Sequence, residues 1–323
     1  ITMLNNHSFA NRPLEKDHCL RKLQVSDLVA PPIKYLSLGE QLAPMVAIDK
    51  YFSDLVTANP ELRVRVANPD EMRSNRMNLT LDRIKHRVLD VELDEAEAVQ
   101  GGVITALNEE AVVSAVLANK QGLNIAVSYE AFAVKMLGAM RQEAIFARHL
   151  AELGRDLNWH SVPIVVSSHT WENGKNEQSH QDPTLSEAWI GEMSDVAPVY
   201  FPCDANTAVA QLAALYQQKG RIATVVAAKS VLPVWCDATQ AQLAAQQGAI
   251  TLRHDHQADV QLLAIGAYQL QEIERAAKRL RAKGVGVSVV AIVEPARFRI
   301  ARDAREAAYV LDDQTVSNIV PEV

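Results

Sequence analysis

From Val103 onward, apolar runs of strand length alternate with amphipathic stretches that end at glycine, and no other feature limits the fold as strongly. Residues 103–107, 123–128, 162–167, 197–201 and 221–228 read as strands. Between them, Asn108 and Asp204 are suited to cap helices, and Gly122, Gly154 and Gly220 to stop them. A chain that repeats strand and helix in this way must cross over between parallel strands, which predicts a doubly wound, mostly parallel α/β sheet covered on both faces.

The flanks read differently. Residues 1–34 are polar, broken by Pro13, Pro31 and Pro32, and suggest an extended arm. Ser37 and Glu40 have capping-box spacing ahead of a helical stripe of Met45, Ile48, Phe52 and Leu55 that ends at Asn59-Pro60. A short strand, 62–67, leads into the charged loop 68–76, and residues 78–101 read as a surface excursion. At the other end, a helix over 237–248, a strand over 260–266, a helix stripe of Leu270, Ile273, Ala277 and Leu280, and a strand over 285–293 predict a second, smaller α/β unit. The expected organisation is an arm with one helix over 1–61, a principal domain over 62–236 and a smaller, truncated domain over 237–323. With 323 residues there is enough chain for two cores.

Charge and composition exclude several classes. A formal net charge of −7 argues against a nucleic-acid surface, which needs a basic excess. No apolar run is long enough to span a bilayer, so a cytoplasmic protein without a membrane partner is expected. Cys19, Cys203 and Cys236 fall outside any CxxC spacing, and reduced thiols are expected of them. The chain begins with Ile, as a processed or partial product would.

The chemistry concentrates where the apolar strand 162–167 opens into a polar loop running to Pro183. Loops at the ends of α/β strands are where such folds bind ligands. His169, His180 and Asp182 are metal-ligand types in no standard zinc spacing. His254-Asp255-His256 reads as a solvated turn. A serine hydrolase lacks its GxSxG elbow. A polar loop that binds sugar hydroxyls and transfers protons through histidine fits best.

The segments Ser167-Ser-His-Thr-Trp171 with Asn176 and Ser179-His-Gln-Asp-Pro183, Pro69-Asp-Glu-Met-Arg-Ser-Asn-Arg76, Ser128-Tyr-Glu-Ala-Phe132, Tyr200-Phe-Pro-Cys-Asp-Ala-Asn206 and Ala228-Lys229 occur in the order and spacing of the phosphoketolases, a family that the chain resembles from about Leu62 to Pro295. The resemblance implies a thiamine-diphosphate-binding fold, its pyrimidine domain followed by a transketolase carboxy-terminal-like domain. It implies a lyase that cleaves xylulose 5-phosphate or fructose 6-phosphate with inorganic phosphate to acetyl phosphate and an aldose phosphate. Transketolase-like ketol transfer and a non-catalytic sugar-phosphate-binding relative are the alternatives.

By the same resemblance, Glu109 is the catalytic glutamate that hydrogen-bonds the cofactor's aminopyrimidine, with Glu110 as its neighbouring alternative. Tyr129 and Phe132 lie against the cofactor. His180 contacts substrate hydroxyls and transfers protons, with Asn173 and Asn176 nearby. Ser74, Arg76 and Lys229 hold the substrate phosphate, for which charged donors are suited. The chain departs from the family at Lys175, where a histidine is usual, and it has no Gly-Asp-Gly followed by Asn to hold magnesium and diphosphate. No metal ligand is therefore assigned. The Mg2+ and diphosphate site is expected on a domain outside this chain, supplied by a longer chain or another subunit of a homo-oligomer, and the chain alone is expected to be inactive.

Overall fold

A computed structural model describes residues 25–69, 71–167, 182–255 and 258–320. In chain order the elements begin with β1 (Gln41–Leu42), α1 (Pro44–Ala58), β2 (Val64–Ala67), α2 (Asn78–Ile84), β3 (His86–Arg87), β4 (Glu97–Ala98) and β5 (Val103–Ile104). There follow α3 (Glu109–Leu117), β6 (Leu123–Tyr129), α4 (Glu130–Ala133), α5 (Leu137–Glu152), β7 (Val162–Ser167), α6 (Thr184–Ile190), β8 (Val199–Tyr200), α7 (Ala205–Tyr216), β9 (Ile222–Val226) and β10 (Leu232–Pro233). The last are α8 (Ala238–Gln247), β11 (Ala249–Arg253), β12 (Val260–Ile265), α9 (Ala267–Arg281), β13 (Val287–Ile292), α10 (Ala304–Ala307) and α11 (Asp313–Ile319).

The expected doubly wound sheet is present. Eight strands run in the order β4-β3-β5-β2-β6-β7-β9-β8, and every pairing is parallel. Burial on both faces explains why its central strands are apolar runs without polar alternation. On β6, Leu123, Ile125 and Val127 face α1 and α7, packing with Ile48, Phe52, Leu55 and Leu215, whereas Ala126 faces Val112 and Val116 of α3 and Met140 of α5. Asn108 caps α3 by accepting from Ala111 N–H, and Asp204 forms a capping box with Thr207 at the start of α7.

A smaller sheet of order β11-β13-β12 follows, with β13 antiparallel to β11 and parallel to β12. Its α9 helix buries Leu270 and Ala277, with Ile273 and Leu280 packed beside them. Asp237 and Gln240 form the capping box of α8, which Gly248 ends with φ +78°.

Three local expectations change. The Ser37–Glu40 spacing closes a turn, with Glu40 accepting from Ser37 N–H; α1 starts later, at Pro44, because proline at the first helical position needs no donor. The supposed excursion over 78–101 holds α2, β3 and β4 and extends the main sheet. Two-residue strands carry no readable period, so only their pairing defines them. β11 likewise had no signal of its own. Among the described residues, no helix is long and apolar enough to cross a membrane.

Candidate active site

The chain enters the main sheet at β2, winds to β5 on one side, then crosses to β6 on the other. That reversal makes a crevice at the carboxyl ends of β2, β5 and β6, the place where open parallel sheets bind ligands. A cavity of about 190 Å3 lies there, lined by Pro69, Leu107, Glu109, Ser128, Tyr129, Phe132 and Lys135.

Each wall follows from the local fold. Glu109 is the first residue of α3 because Asn108 caps the helix, and an acidic side chain in the first turn suits the helix dipole. Its side chain is 9% exposed and lies 3.2 Å from Lys135 Nζ, which is itself 61% exposed. Glu110 is exposed and does not line the cavity. Two adjacent glutamates that the sequence leaves equivalent are therefore separated by burial. Tyr129 ends β6, and its ring meets Phe132 edge-on at 5.9 Å between centroids and 85° between planes. Lysines flank this aromatic pair: Lys229 Nζ lies 4.6 Å from the Tyr129 centroid and Lys135 Nζ 5.5 Å from that of Phe132.

The loop after β2 forms the rim. Tyr129 donates its hydroxyl proton to Glu71 Oε2 at 2.9 Å, and Ser167, the last residue of β7, donates to Asn75 Oδ1. Asn68 bridges the crevice by donating from Nδ2 to Val127 O, while its buried Oδ1 has no partner among the described residues. Glu71 and Arg76 both adopt left-handed backbone conformations, with φ of +43° and +63°. For residues other than glycine that conformation costs about 1–2 kcal/mol, and it clusters at functional sites.

The structure thus brings together Glu109, Tyr129, Phe132 and Lys229. Ser74 and Arg76 share the rim loop but are exposed and do not line the cavity. His180, Asn173, Asn176 and Lys175 lie outside the described residues. Sequence reasoning missed Lys135 and Glu71. Lys135 stands three residues after Phe132, a spacing that places both on one helical side, and Glu71 sits inside the quoted Pro69–Arg76 motif.

Folding also joins Cys203 and Cys236, whose Sγ atoms are 3.9 Å apart and, with Asp204, make the one buried cluster of metal-ligand types among the described residues. The Asp204 carboxylate already accepts from Thr207 N–H, Thr207 Oγ1, Trp235 N–H and Cys236 N–H. Burial raises its carboxyl pKa despite those donors. It is a helix cap tied to a neighbouring strand end.

Comparison with known proteins bears on the family and the fold. A family model described as D-xylulose 5-phosphate/D-fructose 6-phosphate phosphoketolase matches residues 46–218, more than half of the chain. A probable phosphoketolase of Bifidobacterium animalis subsp. lactis is 29% identical over 290 residues, and one of Schizosaccharomyces pombe is 26% identical over 259. The alignments cover 83% and 75% of this chain but 34% and 30% of those proteins, so the chain spans about a third of their length. Among solved structures, a transketolase from Leishmania mexicana superposes with a TM-score of 0.69 at 16% identity, over 97% of this chain and 42% of that one. A structure titled as a split-gene transketolase, an inactive β4 tetramer, gives 0.50 at 18% identity, over 78% of this chain and 72% of that one.

Proposed function

Because the chain belongs to the D-xylulose 5-phosphate/D-fructose 6-phosphate phosphoketolase family, we propose that it supplies the pyrimidine-binding side of a thiamine-diphosphate-dependent carbon–carbon lyase. The reaction is cleavage of a ketose phosphate with inorganic phosphate, giving acetyl phosphate, a shorter aldose phosphate and water. One observation carries this reading: a buried carboxylate, Glu109, lies at the topological switch point beside the Tyr129–Phe132 pair.

The cavity's donor set fits a flat aminopyrimidine. Glu109 is an acceptor for a ring or exocyclic N–H, the aromatic pair offers faces and edges for stacking, and Leu107 and Pro69 are apolar walls. Its volume of about 190 Å3 lies below the ~300–1,000 Å3 typical of pockets that enclose a whole ligand, which suits one ring of a larger cofactor. Thiamine diphosphate, when bound, supplies the carbon nucleophile and electron sink for carbon–carbon cleavage. Glu109 would orient the ring and hold or release a proton at Oε1 or Oε2. Lys135 is no obstacle, since an ion pair to so exposed an ammonium contributes only about 0–1 kcal/mol. Lys229, with Arg76 and Ser74 from the rim, would draw in and hold the substrate phosphate. His180, Asn173 and Asn176, on the loop that follows β7, would serve the sugar hydroxyls, and Lys175 there would alter substrate preference.

The diphosphate and Mg2+ require donors from a further domain or subunit. The split-gene transketolase structure supports this division, because a chain matching most of this one is titled inactive as a tetramer of itself. Cytoplasmic location and homo-oligomeric assembly belong to the same proposal. The test is acetyl phosphate formation from fructose 6-phosphate or xylulose 5-phosphate with thiamine diphosphate, Mg2+ and phosphate. The chain alone should form none, and addition of the diphosphate-binding partner should restore it. In that assembly Glu109→Gln should lower kcat by about 10²–10⁴ with an unchanged unfolding midpoint. Undiminished turnover would refute the assignment.

A further inference from the structure

Four arginines converge on the amino-terminal edge of the main sheet, opposite the Glu109 crevice. Arg63 and Arg65 enter and occupy β2, Arg83 lies on α2 and Arg87 on β3. Arg63, Arg65 and Arg87 line both of two adjoining cavities of about 400 and 360 Å3, and Arg83 lines the second together with Gly101 and Gly102.

What sets this cluster apart is its lack of acid. Among the described residues no carboxylate pairs with any of the four: Arg63 donates to Asn119 Oδ1 at 2.7 Å and Arg83 to Ser53 Oγ at 2.9 Å. Other clustered guanidinium groups meet carboxylates, Arg148 with Asp195 and Asp303, Arg299 and Arg302 with Glu306, Arg297 with Glu294 and Arg253 with Glu274. A chain with seven more acidic than basic side chains could have supplied partners here as well. Partial burial, and to a lesser degree the charges of Arg87 and Arg63, lower the Arg65 pKa.

We propose that this groove binds a compact polyanion of the di- or triphosphate class, at a site separate from the catalytic cavity. Guanidinium forks match phosphate oxygens in bidentate geometry, and an anion would relieve the mutual repulsion. Each cavity has the volume of a small-molecule site, about 300–1,000 Å3. Among the described residues no aromatic side chain lines either cavity, so recognition rests on the phosphates and not on a stacked base. Arginines that only form a solvated face would show no saturable binding.

The experiment is calorimetric titration of inorganic triphosphate into the purified protein at constant ionic strength. Saturable binding near one site per chain is expected, weakened at least about tenfold in Arg65→Gln/Arg87→Gln, since each charge-assisted contact is worth about an order of magnitude in affinity. Arg87→Gln alone, at an exposed position of the two-residue strand β3, should weaken binding without disturbing the fold. Arg76→Gln/Lys229→Gln should bind as the parent does. Absent or unsaturable binding, equal affinity in the Arg65/Arg87 variants, or loss confined to the Arg76/Lys229 variant would each overturn the proposal.

Discussion

At the amino-terminal edge of the eight-stranded sheet, backbone and side chains interlock. Asn119 Nδ2 donates to Arg63 O and Asn124 Oδ1, Asn124 Nδ2 donates back to Asn119 O, and Tyr216 donates to Asn124 O at 2.7 Å. A Cβ on Gly122 would stand 2.1 Å from Arg63 O, and one on Gly101 would stand 2.4 Å from His86 O. The carboxyl-terminal edge is built otherwise. Two residues of the rim loop hold positive φ, an asparagine oxygen is buried without a partner among the described residues, and a carboxylate is held beside one exposed ammonium group. At one end of the same strands the backbone is fixed by close approach and satisfied hydrogen bonds, and arginine side chains line the cavities outside it. The other retains conformational strain and unfilled hydrogen-bonding capacity, which a bound ligand can use.

Substitutions at the two edges should separate stability from function. The largest effect on stability is expected from Gly122→Ala. Because the obstructing atoms include backbone, relief requires movement of the strand, and urea unfolding should show a loss of about 2–3 kcal/mol. Gly154→Ala offers the contrast: φ is +66° but nothing lies within 4 Å of the added carbon, so only the conformational cost of about 1–2 kcal/mol applies. Equal losses at the two glycines would show that close approach does not govern the amino edge.

An effect on the order of 1 kcal/mol is expected in alkali. Burial, with a smaller contribution from Tyr35, pushes the Tyr51 phenol up to about 12, and burial raises Tyr216 as well. A folded-state pKa raised above the unfolded value of about 10 means that the stabilisation is complete below pH 10. It is lost as pH rises toward 12, because the unfolded chain releases its protons first. Tyr51→Phe should therefore flatten the fall in unfolding midpoint between pH 10 and 12, and an unaltered slope would exclude this phenol as a cause.

The smallest expected change in stability is at the rim. Arg76→Gly removes left-handed strain worth about 1–2 kcal/mol and adds about 0.5–1 kcal/mol of unfolded-chain entropy. The protein should thus be unchanged or more stable by up to about 1.5 kcal/mol. In the active assembly KM for the ketose phosphate should rise. A variant that is less stable and kinetically normal would remove the rim from the functional account.

Much of this fold is legible in the sequence because the determining interactions are local. Asn108, Asp204 and Asp237 announce helices by capping bonds made within three residues, and Gly248 marks an end through its own left-handed φ. The stretches over 162–167 and 123–128 are apolar enough to be buried on both faces wherever they pair. The failures have an equally physical basis. At Ser37–Glu40 the local bond predicted does form, but within a turn. The strands β3 and β4 exist only through pairing with β5 and with each other.

The candidate site divides along the same line. The motifs named Tyr129, Phe132 and Lys229, and the family resemblance named Glu109 and supplied the proposed roles. Apart from the family resemblance, nothing local distinguishes Glu109 from Glu110, because the distinction is which side of a helix start faces the crevice. Nor does it show that Glu71 meets Tyr129, 58 residues away.

What the sequence determined by itself was therefore the set of helices and principal strands and the residue types available for chemistry, since caps, stops and periodicity act over one or two turns. Only the tertiary structure decided that β2 lies between β5 and β6. That order places the ends of three strands around one buried carboxylate at one edge and gathers at the other four arginines that have no carboxylate partner among the described residues. Strand order depends on pairing between segments tens of residues apart, where the winning arrangement is set by burial of both sheet faces and not by any local preference.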